Sequence, residues 1–309
     1  MLSEDKIFIL IVTYNAMPWI ERCLGSCANY EVVIIDNAST DGTIQYIKQN
    51  YPNIYIKSQM KNLGFGQANN KGLSYVLEQG AQYVFLLNQD AFLQVDSIEK
   101  LVSAHKANPE YGILSPIHLN GSGERLDRSF SHCLAFDNSP DFYSDFVLQK
   151  PLRQIYETPF INAAGWLMTK EMLCAIGGFD PLFFHYGEDE NYCQRALYHR
   201  FKIGVVPTAF MRHDREDRPR PKLKRGTPAF LNSWERSLKT KYGNINDNNF
   251  KELLGLKKPR ILSKWKGYLT GDFKTARIMS EEIALLQKNI PAISKSRKQT
   301  IIRDKHYLK

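Results

Sequence analysis

Ile7-Phe8-Ile9-Leu10-Ile11-Val12, followed at once by Thr13-Tyr14-Asn15, decides how the rest of the chain is read. Six apolar residues in a row do not alternate, so a strand made from them is buried on both faces, as in a parallel sheet. The pattern repeats. Val32-Val33-Ile34-Ile35 runs into Asp36-Asn37-Ala38-Ser39, Ile54-Tyr55-Ile56 forms a short third strand, and Tyr83-Val84-Phe85-Leu86-Leu87 runs into Asn88-Gln89-Asp90. Helical spacing fills the gaps: Pro18 to Ser26, then Ile44 and Ile47 before Pro52. A third helix carries Ala68, Leu73, Val76 and Leu77 on one face; the loop Asn62-Leu63-Gly64-Phe65-Gly66 opens it and Gly80 closes it. Strand alternating with helix predicts an α/β protein with a Rossmann-like, mostly parallel central sheet covered by helices on both faces. In such sheets ligands bind at the carboxyl ends of the strands, where all three polar clusters fall.

Farther along, Asn120 to Thr158 loses this periodicity and reads as a long loop or small hairpins suited to acceptor contacts. Phe160 to Met168 reads as a strand, and Lys170 to Ile176 as a helix stopped by Gly177-Gly178. A helix following His185-Tyr186-Gly187-Glu188-Asp189-Glu190 is expected to run through His199, and Lys202 to Val206 is the last expected core strand. The expected division is a domain over 1–215 and a basic, partly helical extension over 216–309. Charge follows this split: from Arg212 onward there are 25 Lys/Arg against 10 Asp/Glu, and before it 16 against 22. The hydrophobic fraction of 43% excludes a largely disordered chain. No apolar run approaches the ~20 residues that cross a bilayer. The five scattered cysteines are expected as reduced thiols, partly packed in the core.

Taken in order, the motifs resemble family 2 inverting glycosyltransferases of the GT-A fold, over roughly residues 5–215. The resemblance rests on Val12-Thr13-Tyr14-Asn15, Ile35-Asp36-Asn37-Ala38-Ser39-Thr40-Asp41-Gly42-Thr43, Asn62-Leu63-Gly64-Phe65-Gly66-Gln67-Ala68-Asn69-Asn70-Lys71-Gly72, Leu87-Asn88-Gln89-Asp90 and Gly187-Glu188-Asp189-Glu190. The pattern is similar to bacterial rhamnosyltransferases and related surface-polysaccharide transferases.

The resemblance implies a UDP- or dTDP-sugar donor held by Thr13, Tyr14, Asn15, Asp36, Asn37, Ser39, Asn62, Gly64, Phe65, Asn70, Asn88, Gln89 and Asp90. Asp36 would accept a hydrogen bond from the uracil or thymine ring; its other reading is a cap of the next helix. Gly64 and Gly66 would let backbone approach a phosphate or ribose, although a plain helix-start loop explains them as well. Asn88-Gln89-Asp90 stands where metal-dependent members carry Asp-x-Asp, so Asp90, with His213, is the candidate ligand set for Mg²⁺ or Mn²⁺. Asn88 in place of a carboxylate removes one formal charge from that set.

An inverting transfer is one displacement at the anomeric carbon, and the attacking hydroxyl must lose its proton. The resemblance gives that base role to Asp189, with Glu188 orienting it or holding the acceptor; acids at a helix start also favour the helix dipole without further duty. Gly165 and Trp166 are acceptor-side candidates, the indole as a sugar platform or else as core. Arg195 reads as a partner of the acidic cluster or of a phosphate, or as a structural salt bridge.

The expected acceptor is a saccharide, possible lipid linkage included, in capsule or O-antigen synthesis. The expected location is the cytoplasm, with the basic cluster Arg215, Arg218, Arg220, Lys222, Lys224 and Arg225 contacting the inner membrane face. No nucleic-acid module accompanies the charge. Two rivals remain open: a sugar nucleotidyltransferase, against which the missing Gly-rich basic loop after the first strand speaks, and a nucleotide-sugar-binding protein of impaired activity, which Asn88 alone favours.

Overall fold

The computed structural model describes residues 5–27, 29–215 and 223–309; Arg218, Arg220 and Lys222 lie outside them. Among the described residues, nine strands form one sheet. They are β1 (Ile7–Thr13), β2 (Glu31–Asp36), β3 (Tyr55–Ser58), β4 (Tyr83–Asn88), β5 (Ala91–Leu93), β6 (Tyr111–Asn120), β7 (Tyr156–Glu157), β8 (Gly165–Thr169) and β9 (Lys202–His213). The order is β3-β2-β1-β4-β8-β6-β9-β5, with β7 also on β9. The half from β3 to β4 is parallel throughout; antiparallel pairs enter where β8 joins β4 and β6.

Helices α1 (Ile20–Gly25), α2 (Thr43–Asn50), α3 (Phe65–Glu78) and α4 (Ser97–Ala107) connect these strands. The short α5 (Arg128–Ser131) and α6 (Pro140–Val147) precede α7 (Lys170–Ile176) and α8 (Glu188–Tyr198). Two apolar clusters cover the sheet, one containing Leu10, Leu86, Trp166 and Phe179, the other Ile9, Ile11, Phe85 and Leu87. The alternation of neighbours between the clusters is the pleat itself: a strand buried on both sides needs apolar residues at every position. Gly72 lies in mid-α3 so close to Leu10 that a methyl group would overlap it, which explains a helix-weakening residue there.

The expectations hold best where local chemistry is strongest. The Thr169 hydroxyl accepts from Met172 N–H at 3.2 Å to start α7, and Gly177 at φ +75° ends it. Three readings need correction. The 120–158 region is more regular than a long loop: besides a small hairpin pairing Leu119 with Leu126, it carries α5, α6 and β7. Residues 160–164 are irregular, so the strand expected from Phe160 begins at Gly165. Finally, β9 continues past Val206 to His213, across a register shift opposite Pro116 and Ile117.

Beyond the central sheet, α9 (Pro228–Gly243), α10 (Phe250–Gly255), α11 (Lys257–Leu269) and α12 (Phe273–Thr300) build a helical layer around Leu238, Tyr242, Leu253, Leu286 and Ile293. Glu282, buried on α12, accepts from Arg225 at 2.6 and 2.8 Å and from Arg260 at 2.7 Å. The end of the chain returns to the sheet body. Ser296 Oγ donates to Asp180 at 2.5 Å, Gly178 N–H to His306 O at 2.7 Å, and Lys309 N–H to Ser74 Oγ at 3.1 Å. Those contacts brace the turn between α7 and α8.

Candidate active site at the carboxyl edge of the sheet

Parallel pairing sets Thr13 beside Asp36 and Val12 beside Asn88, so three loops leave the sheet side by side. They are laced together by side chains. Asp36 is fully buried and accepts from Thr13 Oγ1 at 2.9 Å, Ser39 Oγ at 2.6 Å and Ser39 N–H at 3.0 Å. Ser39 Oγ in turn accepts from Asn15 N–H at 2.9 Å, and Asn15 Oδ1 from Thr40 N–H at 2.9 Å. Gln89 grips the Tyr14 peptide with both ends of its amide, at 2.7 and 3.1 Å. Asn37 does the same for the next loop: Oδ1 accepts from Leu63 N–H at 2.7 Å, and Nδ2 donates to Asn62 Oδ1 at 2.9 Å and Gly64 O at 3.3 Å. Asn15 and Ala38 sit at φ +51° and +69°, where non-glycine residues are strained, and this lacing holds them there.

Several donor-side expectations change in this light. Asp36 offers no surface to a base; its carboxylate anchors the loop that Ser39 and Thr13 present. Asn70 is equally committed, with its amide accepting from Phe179 N–H at 2.7 Å and donating to Phe179 O at 2.8 Å inside the protein. Gly64, at φ +79°, faces the carbonyl oxygen of Phe184, where any Cβ would collide. Gly66 lies under Phe179 and Glu188. Both glycines therefore admit the 179–188 segment rather than a phosphate. Phe65 packs edge-on against Phe179 at 5.8 Å. Tyr14, about half exposed, together with Asn62, Asn88 and Gln89 remains at the open edge.

The acceptor candidates are corrected outright. Trp166 is wholly buried between Phe179 and Tyr192, and Gly165 pairs with Leu87 in the sheet against Met211. Neither reaches a ligand. Arg195 is also core: it donates to Gly178 O at 2.7 Å and to Ile176 O, closing the end of α7.

At the end of β4, Asp90 Oδ1 stands 3.4 Å from His213 Nε2, while His213 Nδ1 stands 3.4 Å from Asp127 Oδ2. Arg215 Nε meets the same Asp127 oxygen at 3.3 Å. Burial alone would discharge His213, but hydrogen bonds to Asp127 and Asp90 outweigh it and raise its pKa to about 9. Burial likewise opposes ionisation of Asp127, yet His213, Phe130 N–H and Arg215 hold it far below the usual carboxylate range. Sequence reasoning missed Asp127. Its local signal was only a helix cap, the Phe130 N–H bond at 2.8 Å, and His213 lies 86 positions away.

Ligands at about 2.1 Å from Mg²⁺, at right angles, stand roughly 3 Å apart. The Asp90–His213 spacing of 3.4 Å would therefore suit adjacent ligands of one divalent ion once His213 Nε2 has given up its proton. Among the described residues no set of three or more His, Cys, Asp or Glu forms a cage, so the remaining ligands would be diphosphate oxygens and water.

The acids come from the other side of the edge. Gly187, at φ +92°, turns the chain into α8 against Thr240, and Glu188 and Asp189 open the helix. Glu188 is buried and, among the described residues, its Oε2 has no hydrogen-bond partner. Burial and then the Asp189 charge raise its pKa to about 7. Asp189 is raised too, by burial, while the peptide N–H of Glu190 at 2.8 Å and the nearby Arg215 oppose the rise. Arg215 thus links the two sides, touching Asp127 beside His213 and acting on Asp189. Glu190 is exposed. Before the pair, Phe184 and Tyr186 are about 60% exposed, and Arg236 lies 5.2 Å over the Tyr186 ring.

The mixed α/β sheet carries the Asp90–His213 pair after β4, and the Glu188–Asp189 pair opens α8. The glycosyl transferase family 2 model matches residues 8–174, more than half the chain, and the protein belongs to that family. N-acetylglucosaminyl-diphospho-decaprenol L-rhamnosyltransferase of Mycobacterium tuberculosis is 27% identical over 237 residues, 68% of this chain and 76% of that one. dTDP-rhamnosyl transferase RfbF of Shigella flexneri is 25% identical over 224 residues, 68% and 69% of the two chains. Staphylococcus aureus TarS 1–349 in complex with UDP superposes with TM-score 0.54 at 15% identity, over 96% of this chain and 88% of that one. GalNAc-T7 with UDP, GalNAc and Mn²⁺ gives 0.52 at 17%, covering 75% of this chain and 48% of that one. The two solved structures share its GT-A fold, and the chain is a glycosyltransferase.

Proposed function

We propose that this enzyme transfers a hexosyl or rhamnosyl group from a UDP- or dTDP-sugar, with inversion, to a hydroxyl of a lipid-linked saccharide in cell-surface polysaccharide synthesis. The observation that carries the reading is the desolvated Glu188–Asp189 pair, in which Glu188 Oε2 has no hydrogen-bond partner among the described residues. A desolvated carboxylate oxygen without a hydrogen-bond partner, next to a second acid, marks a candidate functional group. The rhamnosyl donor and lipid-linked acceptor follow the names of the rhamnosyltransferase relatives.

Asp189 takes the proton of the attacking hydroxyl, and its raised pKa makes it a stronger base than a free carboxylate. Glu188 receives a second acceptor hydroxyl on its free oxygen. Tyr14, Asn15 and Ser39 line the nucleotide side, on loops already fixed before binding, so little order has to be acquired there. Asp90 and His213 would hold Mn²⁺ or Mg²⁺, which neutralises the charge of the departing diphosphate. No helix among the described residues is long and apolar enough to cross a membrane, and we place the enzyme in the cytoplasm, working at the inner membrane face. The nucleotidyltransferase rival gains no support from the loop after β1, which carries Tyr14-Asn15-Ala16-Met17 and no glycine.

A thermal-shift panel of nucleoside diphosphates tests the reading. UDP or dTDP raises the melting temperature, and Mn²⁺ or Mg²⁺ enlarges the shift; no response to any nucleotide would overturn it.

A further inference from the structure

The helical layer leaves a stripe of large apolar side chains in water. On α11, Leu262, Trp265 and Leu269 recur at spacings of three and four and are 62%, 60% and 86% exposed. Phe273 continues the stripe across the turn into α12 at 68%. The opposite side of α11 packs on α12: Gly267 lies against Asp272 and Ala276, too close for a larger residue. The stripe is thus not a core face awaiting its own chain. Its aromatic rings cluster, with Trp265 6.0 Å from Tyr268 and Tyr268 6.4 Å from Phe273.

Charge identifies the occupant. Residues 251–277 hold eight Lys/Arg and two Asp/Glu. Lys258, Lys266, Lys274 and Arg277 are exposed beside the stripe. A second exposed apolar patch, Phe146-Val147-Leu148 at the end of α6, has no basic excess: its neighbours Lys150 and Arg153 are paired with Asp145 and Asp141. An amphipathic helix with Trp and Leu outward and lysines alongside seats in the headgroup layer, where apolar burial and attraction to anionic lipid act together. Against a second copy of the chain the same lysines would meet lysines.

We propose that the α11–α12 tip is a membrane-docking wedge that inserts Leu262, Trp265, Leu269 and Phe273 into an anionic phospholipid surface. The wedge deepens the lipid-linked acceptor reading and rests on it for its purpose. It moves the membrane contact from the 215–225 cluster to the distal helices, and an enzyme held there meets its acceptor by diffusion in two dimensions.

Sedimentation of the full chain with phosphatidylcholine vesicles, with and without about one third phosphatidylglycerol, tests it. The protein pellets with the anionic vesicles, not with phosphatidylcholine alone, and less as salt rises. The triple variant L262S/W265S/L269S and the double variant K258E/K266E each lower partitioning by about tenfold or more. Both keep the helical circular-dichroism signal and the nucleotide thermal shift. Failure of the parent to pellet with anionic vesicles overturns the wedge, as does parental binding by the triple variant. Conversion of a dimer to a monomer by the triple variant overturns it too, since the face then belongs to a second copy. The nucleotide shift separates the readings: retained without vesicle binding, it sinks the wedge alone; lost with vesicle binding intact, it sinks the donor reading.

Discussion

The donor loops and the acid-bearing turn share one sheet edge, yet their polar groups are finished in opposite ways. Asp36, Asn37, Ser39 and Gln89 are saturated by neighbouring loops, and even the strained Asn15 and Ala38 are held by bonds from outside their own segment. On the acid-bearing turn, Glu188 keeps one oxygen without a partner among the described residues, both acids are raised by burial, and the Phe184 and Tyr186 rings stand in water. The difference teaches where the free energy of folding has been spent and where it is held back. Under the proposed function, a nucleotide would bind to a prebuilt frame, whereas the acceptor would complete the polar network itself.

The comparison breaks first at Asp189. Asp189→Asn keeps the shape and removes the proposed base, so transfer should fall by about 10²–10⁴-fold while the nucleotide thermal shift is unchanged. Loss of both together would make the acid a structural member of the donor frame. Next in size is Gly64→Ala, which puts a Cβ against the Phe184 carbonyl in a backbone region that only glycine occupies comfortably. A loss of about 2–4 kcal/mol in urea unfolding is expected. A loss below about 0.5 kcal/mol would mean that the two sides of the crevice are not in contact.

Glu188→Gln sharpens the contrast through pH. The Glu188 pKa rises from 4.5 to about 7 on folding, so the native state binds more protons than the unfolded chain between those values, and stability declines as pH rises through that window. Glutamine removes the cost, and unfolding at pH 8 should become harder by about 1–3 kcal/mol. The acid limb of kcat/KM, near pH 7 in the parent, should move down. An unmoved limb would assign that titration elsewhere. The smallest effect is expected at Trp166→Phe: acceptor KM stays within about twofold, because the indole is core, and only a modest loss of stability of roughly 1–2 kcal/mol appears.

These contrasts also explain what the sequence could disclose. Continuous apolar runs such as Ile7 to Val12 and Val32 to Ile35 announce buried parallel strands, and Gly177 announces the end of α7, because each signal is local. β6 is hidden because Ser115, Pro116 and His118 interrupt its apolar pattern; their burial is made tolerable by Ser115 Oγ bonding His118 Nε2 at 2.9 Å and by Phe130 stacked on the ring at 4.3 Å. At the site, motif position told which residues gather but not which way they face. Asn70 sits in a motif and Trp166 was an acceptor-side candidate, yet both face inward; Asp127, outside every motif, faces His213. Only tertiary packing decides such orientations, through partners that lie many tens of residues away.

The anomeric configuration of the product bears most directly on the central claim that Asp189 serves one displacement within this crevice. With the sugar nucleotide as donor and a synthetic lipid-linked saccharide as acceptor, the product's anomeric coupling constant should report a configuration opposite to that of the donor. A product that retains the donor configuration would contradict the account.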